Sequence, residues 1–202
     1  VSDVPVPDVK GAVVIFLHDF YDSPHVYQDI VFPDFWEWIC FTIEVLRKKE
    51  VRFFLKPHPN QVEANDQVLG DLAKRYPGLQ LMSPRVTNKQ LAEAGLACAV
   101  TVYGTVAHEM AYLGVPSIAC ARHPHISFDF CMTAKRKDDY ARLLLEYAES
   151  RVDETAMRHQ SLIFYYMHNL SLDGQGLGIR NAAIELRHAA SNPEVASTEL
   201  AK

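Results

Sequence analysis

Three short segments carry side chains that could do chemistry, and each directly follows an apolar run. They are HDFYDSPH at 18–25, KPHPN at 56–60 and TVYGTVAHE at 101–109. Their imidazole, carboxylate, ammonium and hydroxyl groups can move protons or hold an anion. All strand-to-helix turns of a parallel sheet emerge at one edge, so such a sheet would bring the three segments together. Whether they meet depends on the elements between them.

The second segment sets a histidine between two prolines, right after the apolar run VRFFL. Each proline fixes its own φ and biases the residue before it toward extended geometry, so His58 is held stiffly. Lys56 offers a point charge and His58 a hydrogen-bond donor, and both can meet a phosphate oxygen. The alternative is a turn whose histidine only satisfies a nearby carbonyl group.

The third segment places hydroxyl groups and a glycine just before a predicted helix. Free N–H groups at a helix start suit a phosphate, and Gly104 would let the backbone approach a ligand closely. Glu109 could accept hydrogen bonds from a ribose diol. Alternatively, Thr105 is only an N-cap and Glu109 a surface residue. The predicted nucleotide-binding residues of this segment are Thr101, Tyr103, Gly104, Thr105 and Glu109.

The first segment holds two histidines and two aspartates within eight residues. Such groups could ligate a metal or act as acids and bases. Their spacing matches no closed zinc pattern, and Asp19 and Asp22 could simply form Asx turns before Pro24. We keep Asp19, Asp22 and His25 as candidate catalytic groups, together with His58 of the second segment, which could donate a proton to a leaving phosphate. We predict no metal site.

The chain around these segments alternates short apolar runs with amphipathic stretches. Strands are predicted in GAVVIFLHDF, VRFFLKPHP, LQLMSP, LACAVTVYGT and VPSIACA, with helices between them. This alternation indicates βαβ units and an α/β fold with a parallel sheet covered on both faces. From about residue 137 the pattern becomes helical. The predicted organisation is a linker at 1–11, the sheet domain at 12–150, a helical extension at 151–190 and a disordered tail at 191–202.

Composition limits the class of protein. The 202 residues suffice for one large domain, or for one domain with a helical extension. The net charge of −5 argues against a general nucleic-acid binder. No apolar run reaches the roughly 20 residues of a spanning helix, and the first residues lack a signal pattern. The chain begins with Val, so we expect it to be part of a longer protein.

The four cysteines form no CxxC pair and lie in or beside apolar segments. This usage predicts buried free thiols in a reducing cytoplasm. They are Cys40, Cys98, Cys120 and Cys131.

The combination of KPHPN with the later GTVAHEMAYLGVPSIA resembles the C-terminal, nucleotide-binding half of GT-B glycosyltransferases. The resemblance is strongest to capsule and surface-polysaccharide biosynthesis proteins, which include bacterial Kdo transferases. A His-Pro motif of this kind contacts the phosphate of a CMP-sugar in bacterial sialyl- and polysialyltransferases, and that role would fall on His58 and Pro59. A hydroxyl-bearing turn also grips phosphate in those enzymes, here 101–105, although serine is more usual there.

The segment GTVAHEMAYLGVP is also similar to the GGxxEE…LGxP stretch of UDP-N-acetylglucosamine 2-epimerase-like proteins. Glu109 would then take the ribose-binding acidic position, but His108 replaces the first acid of the pair. Teichoic-acid glycerophosphotransferases, which use CDP-glycerol, are built on a related half-domain.

The resemblance covers about residues 12–150 and implies a Rossmann-like sheet domain that is one half of a GT-B fold. It implies transfer of a sugar from a donor such as CMP-Kdo to a surface or capsular glycan, without a cofactor. The acceptor would bind an N-terminal domain of the same protein or a partner subunit. The implied location is the cytoplasm or the inner face of its membrane, with at most peripheral membrane contact.

Two rival hypotheses belong to other classes. The chain could be a non-catalytic nucleotide-binding or partner-docking module. It could also be a metal-dependent hydrolase that uses the HDFYDSPH segment.

Overall fold

The chain is an α/β domain built on a five-stranded parallel sheet. The structure is a computed structural model, and it describes residues 4–22, 29–147 and 153–171. The strands are β1 (Val13–Phe16), β2 (Phe53–Lys56), β3 (Cys98–Val100), β4 (Ser117–Ala119) and β5 (Cys131–Thr133). Their order is β2-β1-β3-β4-β5, and every pairing is parallel. The order of succession reverses between β1 and β3, as in a Rossmann-like sheet.

Helices cover both faces of this sheet, as the alternating pattern predicts. They are α1 (Phe35–Lys48), α2 (Asn65–Arg75), α3 (Asn88–Glu93), α4 (Val106–Tyr112), α5 (Lys137–Glu146) and α6 (Glu154–Tyr165). Because successive strand residues point to opposite faces, Val13 and Ile15 pack with α1 and α5, whereas Val14 and Phe16 pack with α3 and α4. Gly114, in the left-handed region at φ 82°, follows α4 and fits a helix C-terminus.

The helix α1 has clear start and stop signals. Asp34 caps it by accepting a hydrogen bond from the Glu37 N–H (2.7 Å), and basic residues occupy its last turn. Its buried face carries Phe35 and Trp38, and the Trp38 indole N–H donates to the Tyr140 hydroxyl of α5 (2.8 Å). This contact ties α1 to α5 beneath the sheet edge.

Two details differ from the predicted strands. The segment LQLMSP forms only a single parallel bridge, from Leu81 to Leu55, because the chain leaves the sheet edge after one pair. The short strand β5 was not predicted, since CMT follows a polar loop and is too short to show a pattern. All four cysteines are free and buried, as predicted.

The chain divides into two compact units, residues 1–164 and 165–202. Of the second unit, the structure describes the last residue of α6 and a π-helical turn at Tyr166–Leu170. The predicted helix in GIRNAAIELRHAA and the tail at 191–202 lie outside the described residues, so the division at residue 150 stays a prediction. Among the helices that the structure describes, none has the length and apolar character needed to cross a membrane.

Candidate functional site

A cleft of about 590 Å³ opens at the carboxyl ends of β1, β2 and β3. This is the point where the strand order reverses, which is where open α/β sheets bind ligands. All three segments that carry candidate chemical groups in the sequence line this cleft. They contribute His18, Asp22, Lys56, His58, Pro59, Thr101, Tyr103, Gly104, Thr105 and Glu109.

His18 joins the ends of β1 and β3 inside the cleft wall. Its Nε2 accepts a hydrogen bond from the Val102 N–H (3.2 Å) and lies 3.0 Å from the Thr101 hydroxyl oxygen. The ring stacks flat on Phe35, with centroids 4.8 Å apart. Burial, with a smaller contribution from the nearby His58, lowers its pKa to about 3. His18 is therefore a neutral imidazole at neutral pH, and its Nδ1 carries the proton.

Glycine is needed at position 104 because the backbone there lies close to the Thr101 side chain. Its N–H donates to the buried Thr101 hydroxyl (3.2 Å), and a Cβ at this position would lie 2.8 Å from the same oxygen. The sequence hypothesis gave this glycine the role of admitting a ligand. In the structure, the space beside it is taken by Thr101 and, farther out, by His18. The hydroxyl group of Thr101 thus occupies the backbone N–H of Gly104.

Lys56, the last residue of β2, buries a positive charge in the cleft wall. Its side chain is 6% exposed, its ammonium donates to the Pro84 carbonyl (3.0 Å), and it lies 5.6 Å from the Phe16 ring centre. Lys56 forms no ion pair with any carboxylate in the part of the chain that the structure describes. Burial lowers its pKa, and the charge of Glu109 offsets part of that change.

His58 is exposed on the cleft rim between its two prolines. Its Nδ1 accepts a hydrogen bond from the Asn60 N–H (3.2 Å). A neutral ring in this arrangement carries its proton on Nε2, which is then the donor available to a ligand. The local backbone therefore selects the tautomer of His58.

The candidate catalytic groups of the first segment have different surroundings. Asp19 lies outside the cleft lining, and its carboxylate accepts from the Asn65 amide (2.8 Å) and the N–H groups of Tyr21 and Val62. Burial raises its pKa, but these hydrogen bonds lower it more, so the net pKa is below its usual range. This geometry ties the loop after β1 to the start of α2, and a role as base stays a prediction. Asp22 lines the cleft, and His25 lies outside the described residues.

The start of α4 does not show the simple cap that was the alternative for Thr105. The Thr105 side chain makes no capping hydrogen bond and donates instead to Glu109 Oε1 (3.2 Å). The other oxygen of Glu109 accepts from the Asn88 amide (2.6 Å). These two bonds hold the Glu109 carboxylate at the cleft rim.

A fourth lining segment, residues 84–88, was missed by the sequence hypothesis. It brings Arg85 and Asn88 to the cleft. The sequence did contain this signal, because RVTN directly follows the predicted strand LQLMSP and would emerge at the same sheet edge. His18 was seen in the sequence, but its bond to β3 could not be read from residue types.

His123 and His125 follow β4, at the sheet edge where the cleft residues also lie. The structure instead buries both, each 2% exposed, and neither lines the cleft.

Comparisons with known proteins do not assign this chain to a family. No family model matches the sequence, and no curated protein matches it. Solved structures do match, and 26 chains do so significantly. The chain spans less than half the length of the three described next.

The UDP-GlcNAc 2-epimerase of Methanocaldococcus jannaschii, solved with UDP-GlcNAc and UDP, is 12% identical, with 78% of this chain and 46% of that chain covered and a TM-score of 0.49. A putative UDP-N-acetylglucosamine 2-epimerase of Listeria monocytogenes is 13% identical, with coverages of 79% and 42% and a TM-score of 0.47. The beta Kdo 2,4 transferase KpsC of Thermosulfurimonas dismutans is 12% identical, with coverages of 80% and 47% and a TM-score of 0.46. Because all three TM-scores are below 0.5, these likenesses support no conclusion about what the chain binds.

Proposed function

We propose that the cleft binds the phosphate of a nucleotide-activated sugar and that the chain is the donor-binding half of a glycosyltransferase. The observation that carries the proposal is the ammonium of Lys56, buried in the wall of the cleft without a carboxylate partner among the described residues. A buried charge without a counter-ion is costly, and a bound phosphate would supply one. The resemblance of KPHPN and GTVAHEMAYLGVP to nucleotide-sugar enzymes supports the same ligand class.

His58 is proposed to donate its Nε2 proton in a hydrogen bond to a phosphate oxygen. The Asn60 N–H occupies Nδ1, so forming the imidazolium would require that bond to break. A neutral ring that gave up its Nε2 proton would become an imidazolate, which is not accessible at neutral pH. The tautomer therefore favours charge stabilisation by a fixed donor over general acid catalysis.

Glu109 is proposed to accept from the ribose hydroxyls. Each of its carboxylate oxygens has two lone pairs, and Asn88 and Thr105 use one on each oxygen. Acceptor capacity is thus left on an oriented carboxylate. The volume of about 590 Å³ lies within the usual range for small-molecule sites.

The reaction proposed for the longer protein breaks the bond between the sugar carbon and the phosphate oxygen. The nucleotide leaves with the electron pair, and the acceptor hydroxyl gives up its proton as the new glycosidic bond forms. Lys56 and His58 would stabilise the charge that develops on the leaving phosphate. The base would come from the acceptor-binding domain or from Asp19, Asp22 or His25.

The finer proposal is a CMP-sugar donor, such as CMP-Kdo, and a surface or capsular glycan acceptor. It rests on the His-Pro resemblance alone. A UDP-sugar or CDP-glycerol would fit the same phosphate site, so the base has to be tested directly.

The test is a thermal-shift panel of CMP, CDP, UMP, UDP and ADP on this chain. A ligand at about 100 times its dissociation constant should stabilise the fold by roughly 2.7 kcal/mol. We expect cytidine nucleotides to raise the Tm of the wild type and of Lys48→Met, a control at the end of α1 on the opposite edge of the sheet. Lys56→Met and His58→Ala should lose the shift.

Other outcomes are informative. A shift with UDP alone would contradict the CMP-sugar assignment and favour the epimerase-like alternative. A shift that survives both Lys56→Met and His58→Ala would contradict the phosphate site proposed here. Binding without any turnover when the acceptor-binding half is present would favour the non-catalytic module.

A further inference from the structure

A second group of reactive side chains is buried in the domain, and none of them lines the cleft. We call it the histidine pocket and define it by His123, His125 and Cys131, which are 2%, 2% and 7% exposed. The two imidazoles come from the loop after β4, and the cysteine is the first residue of β5. Phe130 stacks on the His125 ring at 5.0 Å, and Phe164 of α6 packs edge-on at 5.4 Å. Aromatic rings thus separate this pocket from water.

The two ring nitrogens of His123 have different surroundings. Its Nε2 lies 2.8 Å from the Thr133 hydroxyl oxygen, whereas its buried Nδ1 has no hydrogen-bond partner among the residues that the structure describes. Burial lowers the pKa of His123 to about 4, so the ring is neutral at neutral pH. If Nε2 donates to Thr133, Nδ1 holds a lone pair in a buried, unsatisfied position.

Cys131 supplies a sulfur beside that lone pair. The ligand atoms of His123, His125 and Cys131 all lie within 4.8 Å of one another. Cys131 and Thr133 are two residues apart on β5, so they point to the same side of the strand. Thr133 therefore contacts His123 and lies on the side of β5 that carries the thiol.

We propose that His123, His125 and Cys131 hold one transition-metal ion, with Zn²⁺ the best chemical match. Two imidazole nitrogens and one thiolate are a donor set that zinc takes in proteins. A tetrahedral zinc ion places such donors roughly 3.3–3.8 Å apart, so small side-chain rotations would close the site. The Thr133 contact supplies the outer hydrogen bond that metal-binding histidines usually make.

Binding would release the thiol proton of Cys131 to solvent and convert the sulfur to a thiolate. The ion would join β5 to the loop after β4, where α4 and α6 also pack through Ala107 and Phe164. Three protein ligands leave one further coordination position. This site is separate from the cleft and from the HDFYDSPH segment, and it departs from the expectation that the chain holds no metal.

The experiment is a Co²⁺ titration of the metal-free 202-residue chain, followed by displacement with Zn²⁺. A thiolate bound to Co²⁺ gives a charge-transfer band in the near ultraviolet, which reports the sulfur ligand directly. We expect the band to saturate at one equivalent in the wild type and to vanish when Zn²⁺ is added. Absence of this band in the folded wild type would overturn the proposal without recourse to any variant.

Variants then identify the ligands. Cys131→Ser should lose the band, and His123→Gln should weaken Co²⁺ binding at least about 10-fold. The matched control is Cys40→Ser, since Cys40 is a free thiol of similar burial (6% exposed) on α1. A band that persists in Cys131→Ser, or one that disappears in Cys40→Ser instead, would contradict the assignment.

Discussion

The cleft and the two histidines of the histidine pocket both follow the ends of parallel strands, yet the cleft is open to solvent and the histidines are buried. In the cleft, His58 stands exposed on the rim and Lys56 forms part of the wall. In the histidine pocket, His123 and His125 are sealed by aromatic rings, including Phe164 from α6. A strand end thus places polar side chains at the sheet edge, and elements that come later in the chain decide whether water reaches them.

The protonation state of the buried histidines does not distinguish the two regions. In the cleft wall, burial is the main cause that lowers the pKa of His18 to about 3. In the histidine pocket, burial lowers the pKa of His123 to about 4. Both rings are neutral at pH 7. His18 therefore behaves as a core residue although it lines the cleft, and the two regions differ chiefly in access.

The largest effect is expected from opening the histidine pocket. Phe164→Ala removes a buried ring from the shell around His125, and we expect a loss of about 3–5 kcal/mol of unfolding free energy in urea titrations. Water would also reach Cys131, so alkylation followed by peptide mapping should label it before Cys98. Ile163→Ala is the control, because this neighbour on α6 is 39% exposed and should cost far less. Equal costs for the two variants would show that Phe164 does not seal the pocket.

The next effect concerns acid stability and His18. The folded pKa of about 3 is below the ordinary value of 6.5, so the unfolded chain binds the proton more tightly. The stability due to the neutral ring is complete above pH 6.5 and falls as the pH drops toward 3. At pH 4 the loss is on the order of 3 kcal/mol relative to pH 7.

The measurement compares unfolding free energies of the wild type and His18→Gln between pH 7 and pH 4. A glutamine oxygen can still accept from the Val102 N–H but does not titrate. We expect the acid-induced loss to be smaller in the variant by about that amount. Parallel curves would show that His18 is not held neutral in the cleft wall.

A moderate effect is expected from the inner wall of the cleft. Gly104→Ala would place a Cβ 2.8 Å from the buried Thr101 hydroxyl, so the contact between Thr101 and His18 must shift. We expect a loss of about 2 kcal/mol in urea titrations. Gly70→Ala on α2 is the control, because a Cβ there meets nothing within 4 Å and should stabilise the helix slightly.

A double-mutant cycle sharpens this test. In a Thr101→Ala background the oxygen is gone, so Gly104→Ala should cost clearly less than it does in the wild type. The same cost in both backgrounds would mean that the clash with Thr101 is not the cause.

The sequence predicts the sheet well because its strands are continuous apolar runs, whose burial on both faces requires covering helices. It also predicts that Lys56 and His58 meet the turn after β3, since parallel strands share one carboxyl edge. What it misses are short or one-sided elements. β5 has only three residues, and Leu81 makes one bridge.

Roles inside the site are harder to predict than positions. Asp19 has the residue type of a base, but the buried Asn65 amide and two backbone N–H groups occupy its carboxylate. His123 and His125 follow a strand end like the cleft residues, but α6 covers them from far along the chain. Such long-range packing leaves no mark in local residue patterns, so the sequence could not separate a cleft histidine from a buried one.

The smallest effect on stability, and the sharpest contrast between cleft and core, is expected from Lys56→Met. Burial lowers the pKa of Lys56, so the unfolded chain binds this proton more tightly and the charge destabilises the fold below pH 10.5. Methionine keeps an apolar stem and removes the charge, so we expect unchanged stability or a gain of up to about 1 kcal/mol in urea titrations at pH 7. The same variant should bind nucleotides poorly, whereas Lys48→Met should match the wild type in both respects. A large loss of stability would instead show that the bond from Lys56 to the Pro84 carbonyl holds the wall together, and that its charge is not kept for a ligand.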